Sequence, residues 1–226
     1  MAFPAALRQS TFHYWREIRL ELRSRTTLSQ ILPFSAIVLI LVAFIFNLDT
    51  KLLKTTAAAI FWIVTTFSVI FSVTRSMRVE FENKALEGQL VYGASAVAIY
   101  FGKVVGQATI LFTADVIVAL ITFVLYGVSP GNVLLLVLST LLATIGLSAI
   151  GLLYGALIGE TRGGEGLLPL LLLPIALPIL VAATKTWQDG LGSHGSVNDP
   201  WLKLIALFSL VFLGLGAVLF GALLED

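Results

Sequence analysis

Asp115 is the one carboxylate deep within a long apolar run that extends from Val104 to Gly159. An acid so placed is expensive to bury and usually faces a partner or a wet cavity. Two roles fit it: gating or lining a substrate path, or a structural hydrogen bond to a neighbouring Ser, Thr or backbone carbonyl. No cation lies in the apolar runs to pair with it.

A second pattern opens Arg75-Ser-Met-Arg-Val-Glu-Phe-Glu-Asn-Lys84 and continues to Leu90. Phe81, Leu86 and Leu90 are interleaved with Glu80, Glu82 and Glu87, which reads as a short helix with one apolar edge. A solvated loop does not need those apolar residues. A docking element does, because a few buried anchors carry most of an interface's energy. A helix lying flat on the membrane is the alternative, but three glutamates would be repelled by anionic lipid.

Pro169, Pro174 and Pro178 fall within ten residues. Each removes a backbone donor, and together they imply a kinked or partly unwound segment. Such a break is tolerated in a membrane where the freed carbonyls meet protein or a wet cavity, and broken helices recur in transport proteins. The prolines join Asp115 as pathway or gating candidates. His194 could ligate iron, although a lone loop histidine is more often solvated.

The elements that must hold these residues follow from composition. Of 226 residues, 58% are hydrophobic and 12% charged; soluble domains have roughly 45–50% and about 25%. Mean hydropathy is +0.98. A chain this poor in charge is a polytopic membrane protein, not a disordered one. A net charge of +1 excludes a nucleic-acid binder held by a basic field. The absence of cysteine excludes disulfides, thiolate zinc sites and Cys-ligated clusters. No P-loop, H-E-x-x-H or G-x-S-x-G motif is present, so ATP, if used, is hydrolysed by another chain.

Runs long enough to cross a bilayer as helices predict six spans, near 31–48, 55–74, 104–126, 132–158, 166–184 and 204–224, in one domain covering 1–226. Continuous apolar runs, rather than short alternating segments, make this an all-α protein and not a β-barrel. Tyr126-Gly-Val-Ser-Pro-Gly-Asn132 marks the turn between spans three and four. Gly151, Gly155, Gly159 and Gly163, and again Gly102 and Gly106, recur every four residues, a spacing that admits close helix packing.

Six spans place both termini on one side. That side carries Arg8, Arg16, Arg19, Arg23, Arg25, Arg75, Arg78, Lys84, Lys103 and Arg162, against Lys51, Lys54, Lys185 and Lys203 on the other. The positive-inside rule makes it cytoplasmic. Residues 1–30 are then a cytoplasmic amphipathic segment and 75–103 a cytoplasmic loop. Within 5–25, Arg8, Arg16, Arg19 and Arg23 fall in an arc of about 80° beside Leu7, Tyr14, Ile18 and Leu22. Phe12 interrupts the pattern. Such a helix can lie in the lipid interface, or it is ordinary flanking charge. Trp187 and Trp201, in the outer segment 185–203, suit the aromatic belt.

The segment Glu82–Leu90 followed by Ala98–Val104, the block Gly155–Pro178, and the ending Leu219–Asp226 resemble permeases of the CcmB family. These are membrane subunits of the bacterial haem exporter of cytochrome c maturation. The resemblance implies an ABC-2 type permease of the inner membrane, working as a homodimer with two copies of a CcmA-type ATPase. It implies that Glu80, Phe81, Glu82, Leu86, Glu87 and Leu90 form the ATPase-coupling loop, with Arg162 and Glu165 in a second, smaller contact. It also implies CcmC and CcmD as membrane partners, the periplasmic haem chaperone CcmE, surrounding lipid, and no nucleic acid. Haem would be substrate rather than resident cofactor, and ATP would be used by the partner. Two other readings share the coarse features: an ABC-2 exporter for a lipid or other hydrophobic substrate, and a non-transport membrane scaffold.

Overall fold

A computed structural model describes residues 2–24, 26–82, 95–159, 166–192 and 195–225. Among these residues the secondary structure is helical: α1 (Ala2–Ser24), α2 (Thr26–Ile45), α3 (Thr50–Glu82), α4 (Ala96–Tyr126), α5 (Val133–Gly159), α6 (Leu167–Leu191) and α7 (Pro200–Glu225). Six of them, α2 to α7, are long and apolar enough to cross a membrane. The all-α, six-span expectation therefore holds.

The helix ends are set by local chemistry. α2 stops at Ile45, three residues before the expected end of span one, because Asn47 and Leu48 both adopt positive φ. Asp49 then caps α3, its Oδ1 accepting from the backbone N–H groups of Lys51 and Leu52 at 2.8 and 3.1 Å. The turn after α4 forms where the glycine signal put it. Gly127 takes a left-handed φ of 61° and its N–H closes on the Phe123 carbonyl. Asn132 begins α5, accepting from the Leu135 N–H at 3.1 Å.

Several elements run further than the apolar spans. Residues 75–82 continue α3 and 96–103 begin α4, so the described parts of the expected loop 75–103 are helical. Hydropathy locates where a helix meets lipid, not where it ends. α6 likewise continues seven residues past Thr184, and α7 starts at Pro200, a residue suited to the first helical position.

Of the two forms expected for this segment, kinked or partly unwound, the unwound one is excluded, for α6 is helical from Leu167 to Leu191. Pro169 sits in the first turn, where its missing N–H is not needed. Pro174 and Pro178 each remove one helical bond without ending the helix. Pro174 lies on an outward face with Leu170, Leu177 and Val181.

α3 is the most enclosed span, while α2, α6 and α7 keep wide outward faces. α5 crosses α3 at its glycines: a Cβ on Gly151 would stand 2.9 Å from a Val73 methyl, and one on Gly155 2.7 Å from Met77 Cγ. The Tyr100 hydroxyl lies 3.2 Å from the Ala149 carbonyl and 3.3 Å from that of Phe212, linking α4 to α5 and α7. Far from α1, the α4–α5 turn is tied to the end of α6 by the Gly131 and Asn132 N–H groups, both donating to the Gly190 carbonyl.

Candidate functional site

The N-terminal helix does not stand apart from the spans. α1 runs alongside the first three turns of α4, and Gly102 and Gly106 make the approach possible. A Cβ at Gly102 would lie 2.5 Å from His13 Cβ, and one at Gly106 2.8 Å from Glu17 Cβ. The Gly102/Gly106 pair therefore receives α1 rather than another span.

This contact closes a cluster of charges that no single stretch of sequence contains. Lys103 Nζ donates to Glu17 Oε1 at 2.7 Å and lies 2.9 Å from Glu80 Oε1. Arg16 Nη1 reaches the same Glu80 oxygen at 2.7 Å. One helical turn on, Arg75 donates to Glu21 at 3.2 Å, to Thr27 Oγ1 at 2.6 Å and to Ser24 Oγ at 3.1 Å. Glu21 in turn accepts the Leu28 N–H at 3.0 Å, fixing the start of α2. Gln107 donates to Ser72 beside them. Three carboxylates meet three cations, so the cluster is balanced, which a buried ionic group requires.

His13 packs at its edge, with Nδ1 buried and unpartnered. Its pKa is lowered by burial, and then by the positive charges of Arg16 and Lys103.

Glu80, expected at a docking surface, is thus turned inward and 2% exposed. Glu82 is exposed and Phe81 half-buried. Leu86, Glu87, Leu90, Arg162, Glu165 and His194 lie outside the described residues. The cluster itself escaped the sequence reading. Glu17 and Glu21 sit four apart on the face of α1 opposite the arginine arc, a signal that the arginines obscured.

The outward face of α1 joins exposed Arg8, Arg19 and Arg23 with Phe12, Trp15 and Leu22. Phe12, which interrupts the sequence stripe, belongs to this basic and aromatic face. The arrangement matches an interfacial helix, with guanidinium groups for phosphates and rings for the acyl boundary.

Deeper in the bundle, Asp115 is buried. Its Oδ1 accepts a hydrogen bond from Thr65 Oγ1 of α3 at 2.9 Å, while Oδ2 is buried without a partner. The structural hydrogen bond considered for Asp115 exists, and it uses only one of the two oxygens.

Trp187 is buried rather than interfacial. It stacks on Phe61 at 3.7 Å and donates from Nε1 to Thr140 Oγ1 at 3.0 Å. The extension of α6 past Thr184 carries it back against α3 and α5. Trp201, half-buried at the start of α7, is compatible with the belt.

Six apolar spans led by an amphipathic helix, with a balanced ion cluster where that helix meets α3 and α4, define a multi-pass membrane protein of the permease type. The model of the CcmB protein family matches residues 10–225. The chain is 29% identical to heme exporter protein B of Pseudomonas aeruginosa over 197 residues, which are 86% of this chain and 88% of that protein. It is 30% identical to heme exporter protein B of Rhodobacter capsulatus over 192 residues, 84% of this chain and 87% of that one. The same-named protein of Haemophilus influenzae is 27% identical over 199 residues, 88% of each chain. The chain belongs to the CcmB family.

Proposed function

We propose that this chain is the membrane permease subunit of a haem exporter, powered by ATP hydrolysed in a separate ATPase subunit. The observation that carries the reading is the match over nearly the whole chain to proteins named heme exporter protein B. The working unit is two copies of this chain with two CcmA-type ATPase subunits in a bacterial inner membrane. CcmC and CcmD are its membrane partners and CcmE is the chaperone served.

The basic residues support the orientation. α1, the end of α3 and the start of α4 come together and hold Arg8, Arg16, Arg19, Arg23, Arg75, Arg78 and Lys103. This end faces the cytoplasm by the positive-inside rule, and both termini with it. The basic, aromatic face of α1 rests on anionic lipid.

The ion cluster supports a coupling role for the segment from Glu80 to Leu90. Glu80 lies two residues before the end of α3, and Lys103 lies in the second turn of α4. A push by the ATPase on the segment between these helices reaches α3, α4 and α1 together, because the cluster clamps their ends. Arg162 and Glu165 make the second contact. Asp115 and the proline-bearing α6 respond further out, releasing haem or the haem-loaded chaperone.

Affinity purification in mild detergent, with a haem absorption spectrum on the product, tests the assignment. An ATPase and a CcmC-like protein recovered in fixed ratio support it. An ATPase without a haem-binding partner would replace it with a general hydrophobic exporter, and no ATPase at all would leave only a scaffold.

A further inference from the structure

A groove of about 540 Å³ runs along the outward face of α1, lined by Arg8, Phe12, Trp15, Arg19, Leu20 and Arg23. The helix has two acids, Glu17 and Glu21, and both are turned inward, engaged by Lys103 and Arg75. Arg16 is likewise held by Glu80. Arg8, Arg19 and Arg23 are exposed, and no carboxylate among the described residues pairs with them. Arg19 and Arg23 stand one turn apart, about 6 Å along the helix, where like charges repel. The face therefore presents positive charge that its own helix does not balance.

Depth separates these arginines. Gly102 of α4 meets Ser10 and His13, and Gly106 meets Glu17, so the two helices advance in the same sense. The apolar run of α4 begins at Val104. Arg8 lies short of that level, while Arg19 and Arg23 lie beyond the residue that packs on Gly106. A guanidinium held at the acyl boundary needs an anion, and lipid phosphate is the anion present there. Trp15 and Leu22, both exposed beside these arginines, suit the same boundary and favour a lipid over a free phosphate. Arg meets phosphate through two parallel hydrogen bonds, so Arg19 and Arg23 can each hold one. A headgroup that carries two phosphates fills both places with one lipid, its second contact being intramolecular.

We propose that Arg19 and Arg23 bind a two-phosphate phospholipid of the diphosphatidylglycerol class, one phosphate on each guanidinium and the acyl chains beside Leu22. The proposal rests on the reading that the basic face of α1 lies on anionic lipid, and it adds the headgroup that this face selects.

The test is native mass spectrometry of the full chain in detergent micelles, titrated with tetraoleoyl diphosphatidylglycerol or with dioleoyl phosphatidylglycerol at matched phosphate. The expected result is one bound diphosphatidylglycerol per chain, half-saturated at a phosphate concentration about tenfold or more below that for phosphatidylglycerol. Arg19→Gln combined with Arg23→Gln removes this preference and leaves the unfolding midpoint unchanged, whereas Arg8→Gln keeps it. Equal binding of the two lipids by the native chain would overturn the proposal and leave the broader reading of α1 intact; binding of neither would overturn both. An undiminished preference in the double variant would place the lipid elsewhere, and an equal loss in Arg8→Gln would reduce the effect to net charge; either overturns the proposal. So does displacement of the lipid by inorganic diphosphate at matched phosphate, which would make the groove a site for a soluble anion. Should the double variant fail to fold, Arg23→Gln alone removes one of the two phosphate contacts and should abolish the preference, and a native preference in it overturns the proposal.

Discussion

Lys103 Nζ stands 2.9 Å from Glu80 Oε1, with both side chains 2% exposed, and joins the last turns of α3 to the second turn of α4. The same ammonium holds Glu17 of α1. Removing it leaves the carboxylates of Glu17 and Glu80 to share Arg16. Lys103→Met should therefore destabilise the protein by about 3–5 kcal/mol, as when one partner of a buried pair is deleted. Thermal unfolding in detergent reads the change. Adding Glu80→Gln to Lys103→Met should recover much of the loss, and two independent, additive losses would show that the residues do not interact.

His13 predicts an acid limit on stability. Burial lowers its pKa in the folded protein below the ordinary 6.5. As pH falls through 6.5, the unfolded chain takes up a proton that folded His13 resists, so unfolding becomes easier. The loss starts near 6.5 and continues down to the lowered folded value. His13→Gln should flatten the dependence of the unfolding midpoint on pH between about 7 and 5. An equally steep profile in the variant would assign the acid sensitivity to another group.

The seating of α1 depends on Gly102. A side chain there meets His13 Cβ at 2.5 Å and the Ser10 carbonyl oxygen at 2.6 Å, and the carbonyl is backbone that cannot turn aside. Valine at this position should destabilise by about 1–3 kcal/mol through overpacking. It should also lift α1 from α4, speeding tryptic cleavage after Arg16 and Arg19. Native cleavage kinetics in Gly102→Val would mean that α1 is not held there.

Trp187 ties three helices through one side chain, stacking on Phe61 and hydrogen-bonding Thr140. Trp187→Ala should cost about 3–5 kcal/mol, in the range for deleting a buried aromatic. Trp187→Phe, which keeps a ring but leaves Thr140 without its donor, should lose about 1–2 kcal/mol. Similar midpoints for the two variants would show that the indole N–H, not the ring, carries the contact.

Much of the fold is legible in the chain because the membrane imposes one length scale. The turn at Gly127, the six spans and the lone acid at Asp115 all follow from local patterns of polarity. The orientation of α1 does not. Its arginines form the conspicuous arc, yet the face that packs inward bears His13, Glu17 and Glu21. The partners of Glu17 and Glu21, Lys103 and Arg75, lie more than fifty residues away, as Glu80 does from Arg16, beyond the reach of any periodicity. Trp187 hides for a related reason: a tryptophan beside Lys185 and Asp189 looks interfacial until α6 is seen to continue past it. The prolines leave α6 helical from end to end rather than unwound, since the backbone groups they free are tolerated where other helices and lipid surround them.

The division between Glu80 and Glu82 yields the sharpest prediction for coupling. Both are glutamates near the end of α3, but Glu80 is enclosed by Arg16 and Lys103 while Glu82 is exposed. Reversing an exposed charge changes stability by about 0.5 kcal/mol or less, whereas reversing Glu80 sets a third cation against two. If the segment after α3 docks on an ATPase, Glu82→Lys combined with Glu87→Lys should reduce recovery of that subunit by about tenfold or more, as repulsion at an interface does. The unfolding midpoint should stay unchanged. Glu80→Lys should instead lower the midpoint, losing the ATPase only as the clamp itself fails. Co-purification and thermal unfolding measured on both variants separate the two effects. Full ATPase recovery by the Glu82→Lys, Glu87→Lys protein would rule out docking through these charges and leave the ion cluster as a purely structural joint.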